Sequence, residues 1–225
     1  GSAASQPVVG TVTDQTWTVV GVGDFDGNGT SDVFWRNTSS GRNAIWLSGE
    51  ASLQPSVGTV TDQAWHVVGV GDFDGDGTSD VFWRNTSSGS NAIWRSGNFA
   101  SQPAVGAVTD QAWQVARVGE YDGNGTSDVF WRNSASGQNA IWLSANQFGQ
   151  PAVATVSDLA WTIVPYENQA LVDNALPVQE ASSDFDGDGT SDVFWRNTGN
   201  GRNAIWLSGR SASQQVVGTH QETTW

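Results

Sequence analysis

The chain has 225 residues, 37% of them hydrophobic, with 13 Trp, 27 Gly, six Pro, no Cys and a net charge of −14 to which nine Arg are the only fixed cations. Such a composition suits a globular core and excludes a disordered chain, a disulfide framework and any thiol nucleophile. The acidity argues against nucleic acid and anionic membrane surfaces as partners, and no run of 18 apolar residues is present to cross a membrane as a helix.

The first recognisable element is SQPVVGTVTDQTW at 5–17, which returns as SQQVVGTHQETTW at 213–225. Residues 17–64 then form one complete unit that divides at its turns. WTVVGVGDF (17–25) and SDVFWRN (31–37) are β-rich, TSSGR (38–42) is a turn, and NAIWLSG (43–49) is apolar again. EASLQ (50–54) is a loop, and PSVGTVT (55–61) closes the unit. The pattern predicts four short antiparallel strands. Val33, Phe34 and Trp35 are consecutive large apolar residues, which predicts a strand buried on both faces.

This unit recurs. The block DFDGNGTSDVFWRN at 24–37 reappears as DFDGDGTSDVFWRN at 72–85, EYDGNGTSDVFWRN at 120–133 and DFDGDGTSDVFWRN at 184–197, at offsets of 48, 48 and 64 residues. A fixed period of this size is the mark of a repeat architecture, and a 48-residue, four-stranded unit is the size of a propeller blade. The expected fold is all-β, a β-propeller of four-stranded blades over about 17–64, 65–112, 113–160 and 161–225, forming one domain over 1–225. Residues 5–16 are then an extra last-strand segment and 162–183 an insertion, read as a surface loop or else as a cap on the central channel or an intersubunit contact. With four blocks and five last-strand segments, the chain is either a closed small ring or a fragment that oligomerises.

Within each block the spacing is D-x-D-x-[DN]-G-x-x-D. Positions 1, 3, 5, 7 and 9 are Asp24, Asp26, Asn28, Thr30 and Asp32 in the first block, and Asp72, Asp74, Asp76, Thr78 and Asp80 in the second. They are Glu120, Asp122, Asn124, Thr126 and Asp128 in the third, and Asp184, Asp186, Asp188, Thr190 and Asp192 in the fourth. Calcium takes six to eight oxygens, and an EF-hand loop presents them in this order with Gly at position 6. Here the EF-hand Glu at position 12 is replaced by Trp35, and strands flank the loop. The blocks hold 14 of the 23 acidic residues. Up to four calcium ions are therefore expected, bringing the formal charge to about −6. The third site, with Glu120 one methylene too long, is expected to be the weakest.

Four Trp recur in the second strand (Trp35, Trp83, Trp131, Trp195) and four in the third (Trp46, Trp94, Trp142, Trp206). Most are expected to pack blade on blade. Arg36, Arg84, Arg132 and Arg196 recur beside them, and Asp14, Asp62, Asp110 and Asp158 once per unit, which suggests Arg–Asp pairing. Alternatively Arg36, Trp46, Arg84, Trp94, Arg132, Trp142, Arg196 and Trp206 line ligand pockets, each offering a ring and donors to a sugar. Of the two His, His66 is expected on a strand surface and His220 lies near the end of the chain. No G-x-S-x-G elbow or phosphate-binding loop is present, and the paired carboxylates are committed to the metal spacing, so no enzymatic role is expected.

DFDGDGTSDVFWRN with NAIWLSG resembles the FG-GAP/VCBS repeats of bacterial extracellular proteins, and is similar to the calcium-binding blades of the integrin α-subunit propeller. The resemblance covers nearly all the chain except about 162–183. It implies a calcium-bearing first hairpin in each blade, and a secreted or cell-surface binding module. Some relatives are lectins that hold sugars between blades, others appendages of secreted enzymes. A glycan is the favoured ligand, and a calcium-stabilised scaffold for protein–protein adhesion is the alternative.

Overall fold

The computed structural model describes residues 10–164, 183–210 and 212, together with the backbone of 214–219. Among these residues the chain is all-β, with four small antiparallel sheets in sequence order. The first contains β1 (Trp17–Gly23), β2 (Asp32–Asn37), β3 (Arg42–Trp46) and β4 (Ser56–Thr59). The second contains β5 (Trp65–Gly71), β6 (Asp80–Asn85), β7 (Asn91–Trp94) and β8 (Ala104–Val105). The third contains β9 (Trp113–Gly119), β10 (Asp128–Asn133) and β11 (Asn139–Trp142). The fourth contains β12 (Trp161–Ile163), β13 (Val193–Asn197), β14 (Arg202–Trp206) and β15 (Gln214–Thr219). The central part of the expected 162–183 insertion, the segment before residue 10, His220 and Trp225 lie outside the described residues.

Each sheet is a meander, and its register fixes what each side chain faces. In the first, Val33 pairs with Trp46, Phe34 with Ile45 and Trp35 with Ala44. Alternation along a strand then sends Phe34 and Ile45 to one face and Val33, Trp35 and Trp46 to the other. Both faces are covered where sheets stack. Phe25, Phe34 and Ile45 of the first sheet pack on Val81, Trp83 and Trp94 of the second. Phe73, Phe82 and Ile93 meet Val129, Trp131 and Trp142 in the same way, and Tyr121, Phe130 and Ile141 meet Val193, Trp195 and Trp206. Every residue of β6 is buried, as its apolar run predicts.

The inner strands approach closely. A Cβ on Gly21 would lie 2.6 Å from Val70 Cγ2, so that position admits only glycine at this separation. Register breaks between Val19 and Gly21, and again between Val67 and Gly69, mark a repeated bulge in the inner strand.

The third sheet lacks the fourth strand expected of it. Residues 151–158 run past β11 without ladder pairing, and the Asn139 side-chain amide donates to the Ala154 carbonyl at 2.7 Å. Asn43 and Asn91 make the same bond to Gly58 and Gly106 in the first two sheets. A side-chain amide thus tethers the outermost segment, whose leading proline cannot donate to a ladder.

Candidate metal centre

The carboxylates gather in the connection from the first to the second strand of each sheet. In each block the groups at positions 1, 3 and 9 come together: Asp24, Asp26 and Asp32; Asp72, Asp74 and Asp80; Glu120, Asp122 and Asp128; Asp184, Asp186 and Asp192. One oxygen from each lies within 4.8 Å of the others in its triad. Glu120 joins its triad despite its extra methylene.

The loop is shaped by its own backbone amides. Asp24 Oδ1 accepts from Gly27 N at 2.8 Å and Oδ2 from Gly29 N at 2.8 Å, and Asp72 and Asp184 repeat this with Gly75 and Gly77 and with Gly187 and Gly189. These glycines have positive φ, 72° at Gly27 and 82° at Gly29, which folds their N–H groups back onto position 1. At position 5, Asn28, Asp76, Asn124 and Asp188 accept from the backbone N–H and hydroxyl of the Thr at position 7.

Position 9 is the buried anchor. Asp32, Asp80, Asp128 and Asp192 are fully enclosed. One oxygen of Asp80 accepts from Phe73 N at 3.0 Å and the other from Ser96 N at 2.8 Å. Asp32, Asp128 and Asp192 do the same with Phe25 and Ser48, Tyr121 and Ser144, and Phe185 and Ser208. Burial pushes the Asp80 and Asp128 carboxyls up to about 7, and raises Asp32 and Asp192 in the same direction. A buried carboxylate among two others, held only by neutral amides, is a site whose charge calls for a cation. An all-oxygen donor set of carboxylates, amide and hydroxyl fits a hard ion such as calcium.

Four serines complete the site that composition alone does not single out. Ser48, Ser96, Ser144 and Ser208 adopt left-handed φ of 48–51° in the 3₁₀ turn after the third strand. Each gives its N–H to position 9 and brings its hydroxyl to the Thr at position 7, as Ser48 does to Thr30 at 2.7 Å. The signal was the recurrence of Ser after IWL, IWR and IWL in NAIWLSG-like segments. The second loop also differs from its neighbours: Arg95, where the other units have Leu, places Nε 2.9 Å from Asp74 Oδ2.

Of the Arg and Trp residues expected at ligand pockets, Arg36, Arg84, Arg132, Trp94, Trp142 and Trp206 lie in the cores between sheets, whereas Trp46 lines a 610 Å³ pocket on the first sheet with Trp17, Trp35 and Arg42. Trp46, Trp94, Trp142 and Trp206 are buried and stack on the second-strand Trp of their own sheets, with centroids 4.7–4.9 Å apart. Arg36 sits 5.0 Å over the Trp83 ring of the next sheet, Arg84 5.0 Å over Trp131 and Arg132 4.8 Å over Trp195. Arg36 and Arg84 are buried, while Arg132 and Arg196 are half-buried, and each of the four donates to an Asn of its own sheet: Asn43, Asn91, Asn139 and Asn203. Core packing closes the rings of the second, third and fourth sheets to solvent.

The direct Arg–Asp contact expected from the repeats gives way to another among the described residues, although the charges of Asp62 and Asp110 still act on Arg36 and Arg84. Asp14, Asp62, Asp110 and Asp158 accept from the amides of Asn37, Asn85, Asn133 and Asn197, the residue after each Arg, at 2.8–3.2 Å. Asn points out of its strand toward the preceding turn, whereas Arg points at the next sheet. His66 is exposed on β5, as expected.

Residues 24–83 and 72–131 each match the family model of the FG-GAP-like repeat. No curated protein matches the chain.

Proposed function

The chain belongs to the FG-GAP repeat family, and from that membership we propose that it is a calcium-binding, β-propeller-like module that works outside the cell by binding rather than by catalysis. The observation that carries this reading is the recurrence of one acidic triad, in the same register, in all four sheets. FG-GAP repeats are typical of extracellular proteins, where calcium is near millimolar and such modules bind it at about 10⁻⁴–10⁻³ M. Positions 1, 3, 5 and 9 would hold the ion, with the Thr at position 7 completing the loop. The ion would neutralise the triad and lock the first hairpin against the third strand.

A glycan is the ligand class we favour. With the Arg–Trp stacks between sheets closed, a supporting surface is the 350 Å³ cleft between the second and third sheets, lined by Phe73, Arg95, Gln147 and the exposed Phe148 among others. It offers an apolar ring beside donors, the pairing that sugar faces and hydroxyls require. The second reading, a protein-adhesion scaffold, is favoured by the burial of the second-strand Trp83, Trp131 and Trp195 and of all four third-strand Trp.

Thermal melts with EDTA and with about 1 mM calcium test the metal reading. Each site adds roughly 0.4–1.4 kcal/mol at that concentration, so the melting temperature rises reversibly by about 5–15 °C. An unchanged melt overturns it. Glycan-array binding at constant calcium separates the ligand readings: sugar binding lost in Phe148→Ala supports the cleft, and no binding leaves the scaffold reading.

A further inference from the structure

The stack of four described sheets ends in two faces of opposite kind. At each internal junction one sheet offers a Phe face and the next a Trp face. The Phe face carries Phe25 and Phe34, then Phe73 and Phe82, then Tyr121 and Phe130. The Trp face carries Val81 and Trp83, then Val129 and Trp131, then Val193 and Trp195, each at most 1% exposed. A backbone latch seals each junction. Ser79 N donates to the Asp24 carbonyl at 2.7 Å and Ser127 N to the Asp72 carbonyl at 2.6 Å, and Ser191 N donates to Glu120.

The first sheet has a Trp face with no described sheet before it. Ser31 is exposed and Val33 and Trp35 are half-buried, where their three counterparts are enclosed; Val19 beside them is 50% exposed. The fourth sheet has a Phe face with no described sheet after it. Phe185 is 44% exposed, against 4% for Phe25 and Phe73 and 1% for Tyr121, and Phe194 is half-buried where Phe34, Phe82 and Phe130 show no exposure. The two ends carry the same residue types as the halves of an internal junction, DFDGDG at 184–189 and SDVFWR at 31–36.

We propose that a second copy of this chain covers these ends, head to tail, so that the fourth sheet of one copy packs on the first sheet of the other as the first packs on the second within a chain. The junction would set Phe185 and Phe194 against Val33 and Trp35 of the second copy. Ser31 N of that copy would donate to the Asp184 carbonyl, and Arg196 would lie over Trp35 of that copy as Arg132 lies over Trp195. The occupant is identified by continuity: three junctions of this chemistry already exist in the chain. A contact of unlike faces is heterologous, so it must close on itself or polymerise. Two copies supply eight sheets, within the four-to-eight range in which such sheets close into a ring; that closure alone rests on the propeller reading, and the pairing of faces does not.

Sedimentation velocity and native mass spectrometry of the full chain in saturating calcium, at high micromolar protein, test the proposal. The expected species is twice 23.8 kDa. A chain that stays at 23.8 kDa at every concentration overturns it, and means that the ends are covered from within the chain or left open. Val33→Glu spoils one face and Phe185→Glu the other, so each variant alone should be monomeric, its self-association weakened on the order of a hundredfold, as for a central interface contact. An equal mixture of the two should associate again, because Phe185 of the first variant can meet Val33 of the second. A dimer that survives either variant alone, or a mixture of cooperatively melting variants that stays monomeric, overturns the head-to-tail pairing. The wild-type mass decides the matter even if a variant fails to fold.

Discussion

Asp80 and its three counterparts are pulled in opposite directions by their surroundings. Enclosure favours the neutral acid, whereas two backbone amides favour the carboxylate, and enclosure wins at Asp80 and Asp128, which rise from 3.8 to about 7. Between about pH 4 and pH 7 the folded chain therefore holds protons that the unfolded chain has released, and metal-free stability falls as pH rises through that window. Melts in EDTA should show a lower melting temperature at pH 8 than at pH 5. Saturating calcium should flatten or reverse the trend, because the ion replaces the proton. Arg95 acts on the same loop from outside. Its contact with Asp74 is half-exposed, worth about 1 kcal/mol at most, and it must give way when an ion takes the carboxylate. Arg95→Leu, which installs the residue of the other three units, should tighten calcium at the second loop by up to about fivefold, as read by calorimetry. This competition was invisible in the spacing of the block, because Arg95 lies 21 residues beyond Asp74.

At the scale of strands and turns, position 9 is a splice as well as a candidate ligand. Asp80 opens β6, and its two oxygens tie the start of the loop, at Phe73, to the turn after β7, at Ser96. Position 3 has no such duty. Asp80→Ala should therefore cost about 2 kcal/mol or more even in EDTA, by stranding two buried amides, while Asp74→Ala should cost no more in EDTA than its Arg95 contact, about 1 kcal/mol at most, and lower chiefly the gain from calcium. Urea melts with and without calcium distinguish the two. The strands themselves were legible: DVFWRN and NAIW declare their alternation and burial, and each observed second strand lies within SDVFWRN. The acidic triads were legible too, since ligand spacing is a local property. The partner of each WRN arginine was not. Arg and Asn are adjacent in sequence but face opposite ways on a strand, so which of them meets the Asp of the preceding turn depends on register. The missing strand in the third sheet was equally hidden, because the segment keeps its position through the Asn139 amide without forming a ladder.

The whole molecule carries its charge unevenly, with four acidic loops on one stack of sheets and a net charge of −14. Self-repulsion of this size destabilises a compact chain and is screened over about 8–10 Å by physiological salt. Raising sodium chloride in EDTA should therefore raise the melting temperature, and the same addition in saturating calcium should do markedly less; equal slopes would show that the loops do not hold the ions. The repeat length and number were read directly from identity within the chain. What lies at the two ends was not, because burial at an end depends on what stacks there, and the sequence of an end sheet is the same as that of a middle one.

The near-identity of the three junctions has a consequence for how the chain reaches its native order. Phe25 and Phe34 would accept Val129 and Trp131 of the third sheet almost as readily as Val81 and Trp83 of the second, so surface recognition does not encode which neighbour is correct. Sequence order is enforced by the tether: a short connector gives the adjacent sheet a far higher effective concentration than any other. Shuffled arrangements are then kinetic traps rather than remote states. Refolding should slow, and mispaired species accumulate, as the connectors between sheets are lengthened, while the stability of correctly assembled molecules changes little.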